Sequence, residues 1–165
     1  MNLPVSPAMQ HRVLIVDDDP AARRQLRDLL AANGYAVSEA SNGRIARDRL
    51  AEHDVDLVVS DIFMPECDGF ELIAAIRATA DPIPVIAMSD HERWTGLSFL
   101  DAANDLGAAA VIEKPFRADL LLRLVDAALT TSERAQRVVA FGAFAEPERS
   151  RVPEGLEWVC GRPAG

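Results

Sequence analysis

Arg12-Val13-Leu14-Ile15-Val16, followed at once by Asp17-Asp18-Asp19-Pro20, is the stretch on which the fold turns. A short apolar run that stops abruptly at turn-forming residues matches a strand buried on both faces of a parallel sheet. Asp19 suits a helix N-cap and Pro20 the first helical position, so a helix is predicted to start there. Ala22, Leu26, Leu29 and Leu30 then recur at helical spacing, and Asn33-Gly34 supplies the stop.

The pattern repeats outward from this unit. Tyr35 to Ala40 reads as a weaker strand, and Asn42-Gly43 opens a helix carrying Ile45, Ala46 and Leu50. Val55 to Ser60 is a third strand ending at Asp61, followed by a loop with Pro65 and Asp68-Gly69 and by a helix with Leu72, Ile73 and Ile76 on one face. Ile83 to Met88 and Ala109 to Glu113 are predicted as strands four and five, with an ill-defined helix between them. The last regular helix is predicted over Ala118 to Leu129, with Leu120, Leu121, Leu124, Val125 and Ala128 facing inward. Strands alternating with helices build a doubly wound, five-stranded parallel sheet with helices on both faces, flavodoxin-like with strand order 2-1-3-4-5. One domain is expected over residues 11–130, with 131–165 a C-terminal tail holding a short helical continuation from Ser132 to Phe141 and then irregular chain.

The 165 residues are 49% hydrophobic and 26% charged, the balance of a globular chain. Residues 1–130 hold 12 basic and 21 acidic side chains, hence the whole net charge of −9. A nucleic-acid partner needs a basic face that releases phosphate counterions, so direct nucleic-acid binding is not expected. Two cysteines, Cys67 and Cys160, make no secreted framework, and neither a leader nor a membrane-length apolar run is visible. A cytoplasmic protein without membrane insertion is the expectation.

In a doubly wound sheet the working site lies beyond the carboxyl ends of the strands. Asp17, Asp18, Asp61, Ser89 and Lys114 all fall at or just past such ends and are predicted to converge on one rim. At an effective dielectric of ~20, two unit charges ~4 Å apart repel by about 4 kcal/mol. Either a pKa rises or a cation binds, and an all-oxygen cluster open to water suits Mg2+. A carboxylate beside such a cation can attack a phosphoryl group, and Asp61, the solitary acid after strand three, is the candidate. Phosphoryl oxygens then need neutralising: Lys114 offers an ammonium and Ser89 a hydroxyl. Lys114 is the single lysine among 17 basic residues, a flexible point charge in a chain that otherwise uses arginine.

These residues carry a family resemblance. Val13 to Pro20, Asp61-Ile62-Phe63-Met64-Pro65-Glu66-Cys67-Asp68-Gly69, Ser89 after Val85-Ile86-Ala87-Met88, and Glu113-Lys114-Pro115-Phe116 together resemble the receiver domain of two-component response regulators, similar to the stand-alone chemotaxis and phosphorelay kind. The resemblance covers roughly residues 11–130. It implies that Asp61 accepts phosphate from a sensor histidine kinase or histidine phosphotransfer protein. Mg2+ would be bound by Asp18, Asp61 and the Phe63 backbone carbonyl, with Asp17 acting through water. Ser89 and Lys114 would grip the phosphoryl group, and the face of helix four, strand five and helix five would change its affinity for a downstream protein. Such a protein is a substrate of kinases with some self-catalysis, not a turnover enzyme.

Four positions depart from or modulate that pattern. Val111 stands where the family usually has an aromatic switch residue, so either backbone and loop motion carries the coupling or the switch is weak. Asp90 follows the switch hydroxyl where a small residue is usual, and should slow labelling by small phosphodonors. Phe63 and His91 occupy the positions that influence hydrolysis of the phosphoryl group; an apolar ring at 63 favours a long-lived one. Val111 and Asp90 also make a pseudo-receiver, an adaptor working without phosphorylation, a rival reading. A second rival is a Mg2+-dependent phosphohydrolase using Asp17-x-Asp19, although Ala21 replaces the usual threonine or valine. Asp68-Gly69 reads as a turn. His11, His53 and His91 show no zinc spacing, and Trp158 and Val159 are candidates to dock the tail.

Overall fold

Strands form where apolar residues face both ways, and β1 (Arg12–Val16), β3 (Leu57–Asp61) and β4 (Val85–Asp90) are buried almost throughout. The structure is a computed structural model that describes residues 10–65, 68–90 and 99–142, with side chains described for all of these but 99–101 and 132–142. β2 (Ala36–Ala40) and β5 (Ala110–Lys114) are the less buried edges. All pairings are parallel and the order is β2-β1-β3-β4-β5, as expected.

Alternate residues along each inner strand feed two cores. Leu14, Val16, Val58, Val85 and Ala87 pack with residues of α2 (Gly43–Glu52), α3 (Gly69–Arg77) and α4 (Phe99–Asp105). Val13, Ile15, Leu57, Val59, Ile86, Met88 and Ile112 pack with α1 (Pro20–Ala32) and α5 (Ala118–Gly142). Each fully buried Leu or Ile is worth about 1.5–3 kcal/mol, and among the described residues the buried polar side chains, Asp17, Ser60, Asp61 and Ser89, all lie near the carboxyl ends of strands.

Local chemistry sets the helix starts. The Asp19 side chain accepts from the Ala21 N–H, Asn42 caps α2 through the Ile45 N–H, and Asp68 caps α3 through the Glu71 N–H. Gly34, at φ 88°, takes the left-handed conformation after α1.

Several sequence expectations shift. β4 begins at Val85 because Pro84 has no N–H for the ladder; its carbonyl still accepts from the Val58 N–H at 3.0 Å. The strand continues through Ser89 and Asp90, and β5 runs to Lys114, so these three are strand residues and not loop residues. β3 starts two residues later than expected, since Asp56 is occupied with the Arg12 backbone through both its own N–H and its carboxylate. Leu120 is 40% exposed and does not face the core; Leu121, Val125 and Ala128 form the buried stripe, and Leu120 lies one residue off it. The helix predicted over 118–129 and its expected continuation over 132–141 form one element: no Gly or Pro interrupts 118–141, and α5 runs unbroken to Gly142. Residues 143–165, with Trp158, Val159 and Cys160, lie outside the described residues, as do Cys67 and His91. Among the described residues no helix is long and apolar enough to cross a membrane.

Candidate functional site

The pairing of β1 with β3 sets Val16 opposite Ser60, so the next residues, Asp17 and Asp61, stand side by side where chain order reverses. β4 and β5 add their own ends: Asp61 is in register with Met88, Ser89 with Glu113 and Asp90 with Lys114. The predicted convergence is therefore observed for the acids and the lysine. Carboxylate oxygens of Asp17, Asp18 and Asp61 lie within 4.8 Å of one another. Asp17 and Asp61 are buried, whereas Asp18 is exposed and opens the cluster to water.

The hydrogen bonds divide these acids. Asp17 is satisfied twice: Oδ1 accepts from the Asp19 N–H at 2.9 Å, and Oδ2 accepts from Lys114 Nζ at 2.8 Å. Asp61 Oδ1 is 3.6 Å from the same ammonium and, alone among the buried side-chain polar atoms described, has no hydrogen-bond partner. Burial pushes the Asp61 carboxyl up from its ordinary 3.8 to about 6; Lys114 opposes this, Asp17 and Asp90 reinforce it, and the Phe63 backbone N–H opposes it by hydrogen bonding. Burial disfavours the Lys114 ammonium too, but the hydrogen bond to Asp17 and the charges of Asp61, Asp17 and Asp90 outweigh it and leave its pKa raised. Ser89 is buried near the end of β4. Phe63 packs beside the α2–α4 core, and Val111 beside the same core near Ala87.

Three features of the rim escaped the sequence reading. Gly69 is not a turn residue but the first residue of α3; its N–H donates to the Ile62 carbonyl at 2.8 Å. A Cβ there would meet the Asp61 carbonyl oxygen and, at 2.7 Å, Ile62 Cα, so α3 can approach the end of β3 only without a side chain. Arg23 donates to the carbonyls of Asp17 at 2.6 Å and Asp18 at 3.1 Å. Its signal was a cation in the first turn of a helix, where the dipole disfavours it. The Lys114–Pro115 peptide bond is cis.

The donor set is chemically suited to a small hard cation: three carboxylates, oxygen atoms only, water access at Asp18, and one buried oxygen lacking any donor.

Comparison with known proteins agrees with the geometry. The family model described as response regulator receiver domain matches residues 13–126. The response regulator MprA of Mycolicibacterium vanbaalenii is 40% identical over 125 residues, covering 73% of this chain and 51% of that protein. MprA of Mycobacterium leprae is 34% identical over 157 residues, covering 90% of this chain and 66% of its own. The chain thus spans about half to two thirds of the length of these relatives. Among solved structures, the chemotaxis response regulator CheY4 of Vibrio cholerae gives a TM-score of 0.65 at 29% identity, covering 73% of this chain and 99% of that one. Full-length FixJ from B. japonicum gives 0.69 at 31% identity, covering 77% and 61%. Since the match runs from β1 into α5 and takes in every strand of the acidic rim, the chain belongs to the response regulator receiver domain family of two-component signalling.

Proposed function

We propose that Asp61 accepts a phosphoryl group from a phosphohistidine on a sensor histidine kinase or a histidine phosphotransfer protein. The observation that carries this reading is the buried Asp61 oxygen with no hydrogen-bond donor, on a carboxyl whose pKa of about 6 leaves it mostly ionised at neutral pH. Such an oxygen keeps its lone pairs for attack. It forms the new P–O bond as the P–N bond breaks, and the departing imidazole nitrogen takes up a proton.

Asp18, Asp61 and the Phe63 carbonyl would hold Mg2+, with Asp17 acting through water. The outer role suits Asp17, because both its oxygens already accept from protein donors. When bound, Mg2+ supplies positive charge against the carboxylates and the phosphoryl oxygens. Lys114 and Ser89 would take the remaining phosphoryl oxygens. Receiver domains are signalling modules, and the readout would be protein contact through α4, β5 and α5, with Leu106 just past α4 and Leu120 on α5 exposed at 41% and 40%. The matched relatives are longer, so the proposal concerns the receiver domain and not what a whole regulator does.

The phosphohydrolase reading finds little support, since Asp19 is engaged as the cap of α1 and Asp17 holds Lys114. Intact-mass analysis after acetyl phosphate and Mg2+ tests the proposal: a gain of one phosphoryl group, absent in Asp61→Asn, is expected. No phosphoryl gain from acetyl phosphate or a phosphohistidine donor, together with no binding in a beryllofluoride titration, would leave the pseudo-receiver reading.

A further inference from the structure

We infer that Arg23 is a positioning residue for the cation site, bracing the three-residue connection from β1 to α1 from behind. This rests on the proposed Mg2+ site. One guanidinium nitrogen, Nη1, donates to the carbonyls of both Asp17 and Asp18 at 2.6 and 3.1 Å. Fixing a carbonyl fixes its peptide plane, and two successive planes determine where the intervening side chain leaves the backbone. The exposed Asp18 carboxylate therefore takes its direction from backbone held by Arg23.

The brace is itself anchored. Arg23 Nε lies 3.6 Å from Glu39 Oε2 on β2, and Arg27 Nη1 donates to Glu39 Oε1 at 3.2 Å. The Arg23 side chain is only 17% exposed, and a planar fork serves carbonyls and a carboxylate at once, as an ammonium could not. Glu39 also settles the charge problem. An unpaired cation behind the site would repel Mg2+, whereas a guanidinium matched by a carboxylate contributes geometry with little net field. The two effects predict opposite signs: loss of the brace weakens Mg2+ binding, and loss of a repelling charge strengthens it.

The test is calorimetric titration of the whole chain with Mg2+ alone, with thermal unfolding in EDTA recorded for each variant. Arg23→Ala is expected to raise the Mg2+ dissociation constant about tenfold, the usual effect of removing a partner that orients a ligand. The Mg2+ concentration for half-maximal acetyl-phosphate labelling should rise by a similar factor, with a smaller change in the maximal rate. Arg24→Ala removes the same charge from an exposed neighbour and should leave the constant unchanged. Arg23→Lys, which keeps the charge, should fall between. Wild-type binding with equal or tighter binding by Arg23→Ala, or equal weakening by Arg24→Ala, overturns the brace alone. A wild type that takes up no Mg2+ overturns the proposed function and the brace with it. If Arg23→Ala does not fold, Arg23→Lys decides: weaker binding at an unchanged EDTA melting temperature supports the brace, and wild-type affinity overturns it.

Discussion

Asp61→Asn should make the metal-free protein more stable, and only where the wild-type carboxyl is ionised. Burial and the charges of Asp17 and Asp90 lift its pKa from 3.8 to about 6 despite Lys114. A displacement of that size corresponds to about 3 kcal/mol. Between those two values the native state binds more protons at Asp61 than the unfolded chain does, so stability falls as pH rises through the window. Below about pH 4 the carboxyl is neutral in both states and the substitution changes little; above about pH 7 the full difference is present. For a domain of this size about 3 kcal/mol corresponds to roughly 10 °C in melting temperature.

The assay is thermal unfolding followed by circular dichroism in EDTA, wild type against Asp61→Asn, at a series of pH values from about 4 to 8. The gap should open with rising pH and then level off. Adding Mg2+ should narrow it at neutral pH by stabilising only the wild type. A variant no more stable than wild type at high pH, or a gap of constant size across the series, would refute the claim that Asp61 is a buried charge held at a cost.

Asp90→Ala should speed acetyl-phosphate labelling several-fold at low ionic strength, with the advantage shrinking as salt is added, because Asp90 adds negative charge to both Asp61 and Lys114; an unchanged rate would remove Asp90 from the account. Gly69→Ala should cost about 1–3 kcal/mol, since the new Cβ meets backbone and not a yielding side chain. Urea unfolding reads this as a lower midpoint at unchanged slope, and an unaltered midpoint would contradict the close approach. Phe63→Asn should shorten the phosphoryl lifetime by offering a water a hydrogen-bonding group, as followed by radiolabel loss; a wild-type lifetime of seconds, or one unaffected by the substitution, counts against the role of the ring.

What the sequence made readable was local or strongly periodic. β1 and the Asp19-Pro20 helix start are found where expected because capping and apolar runs act over a few residues. The acids and Lys114 were readable as a group because strand ends in a doubly wound sheet share one rim. The misses are non-local. Nothing near Gly69 says that α3 will press on the carbonyl of Asp61, and the dipole-opposed place of Arg23 marks it as unusual without saying that it turns back on Asp17 and Asp18. Leu120 fits a helical apolar pattern as well as Leu121 does, and only the position of the sheet chooses between them. The helical continuation past residue 130 was legible as well, and it joins the preceding helix without a break because no helix-breaking residue stands between them.

The division of labour around Lys114 explains why one ammonium among three acids leaves a reactive group and not merely a neutral one. Had the lysine bonded Asp61 directly, it would have lowered both the energy and the nucleophilicity of that carboxylate. Instead its 2.8 Å hydrogen bond goes to Asp17, which already accepts the Asp19 N–H, and Asp61 Oδ1 is left at 3.6 Å with no donor. Asp17 thus serves as a holding partner for the cation, and the unfavourable charge is concentrated on the one carboxyl proposed to react. Native structures carry such local instability where function uses it. Anything that brings positive charge to Asp61 or removes its negative charge relaxes the site. The asparagine substitution, protonation and a bound cation are therefore three routes to the same stabilisation, and in a doubly treated protein their effects should overlap and not add.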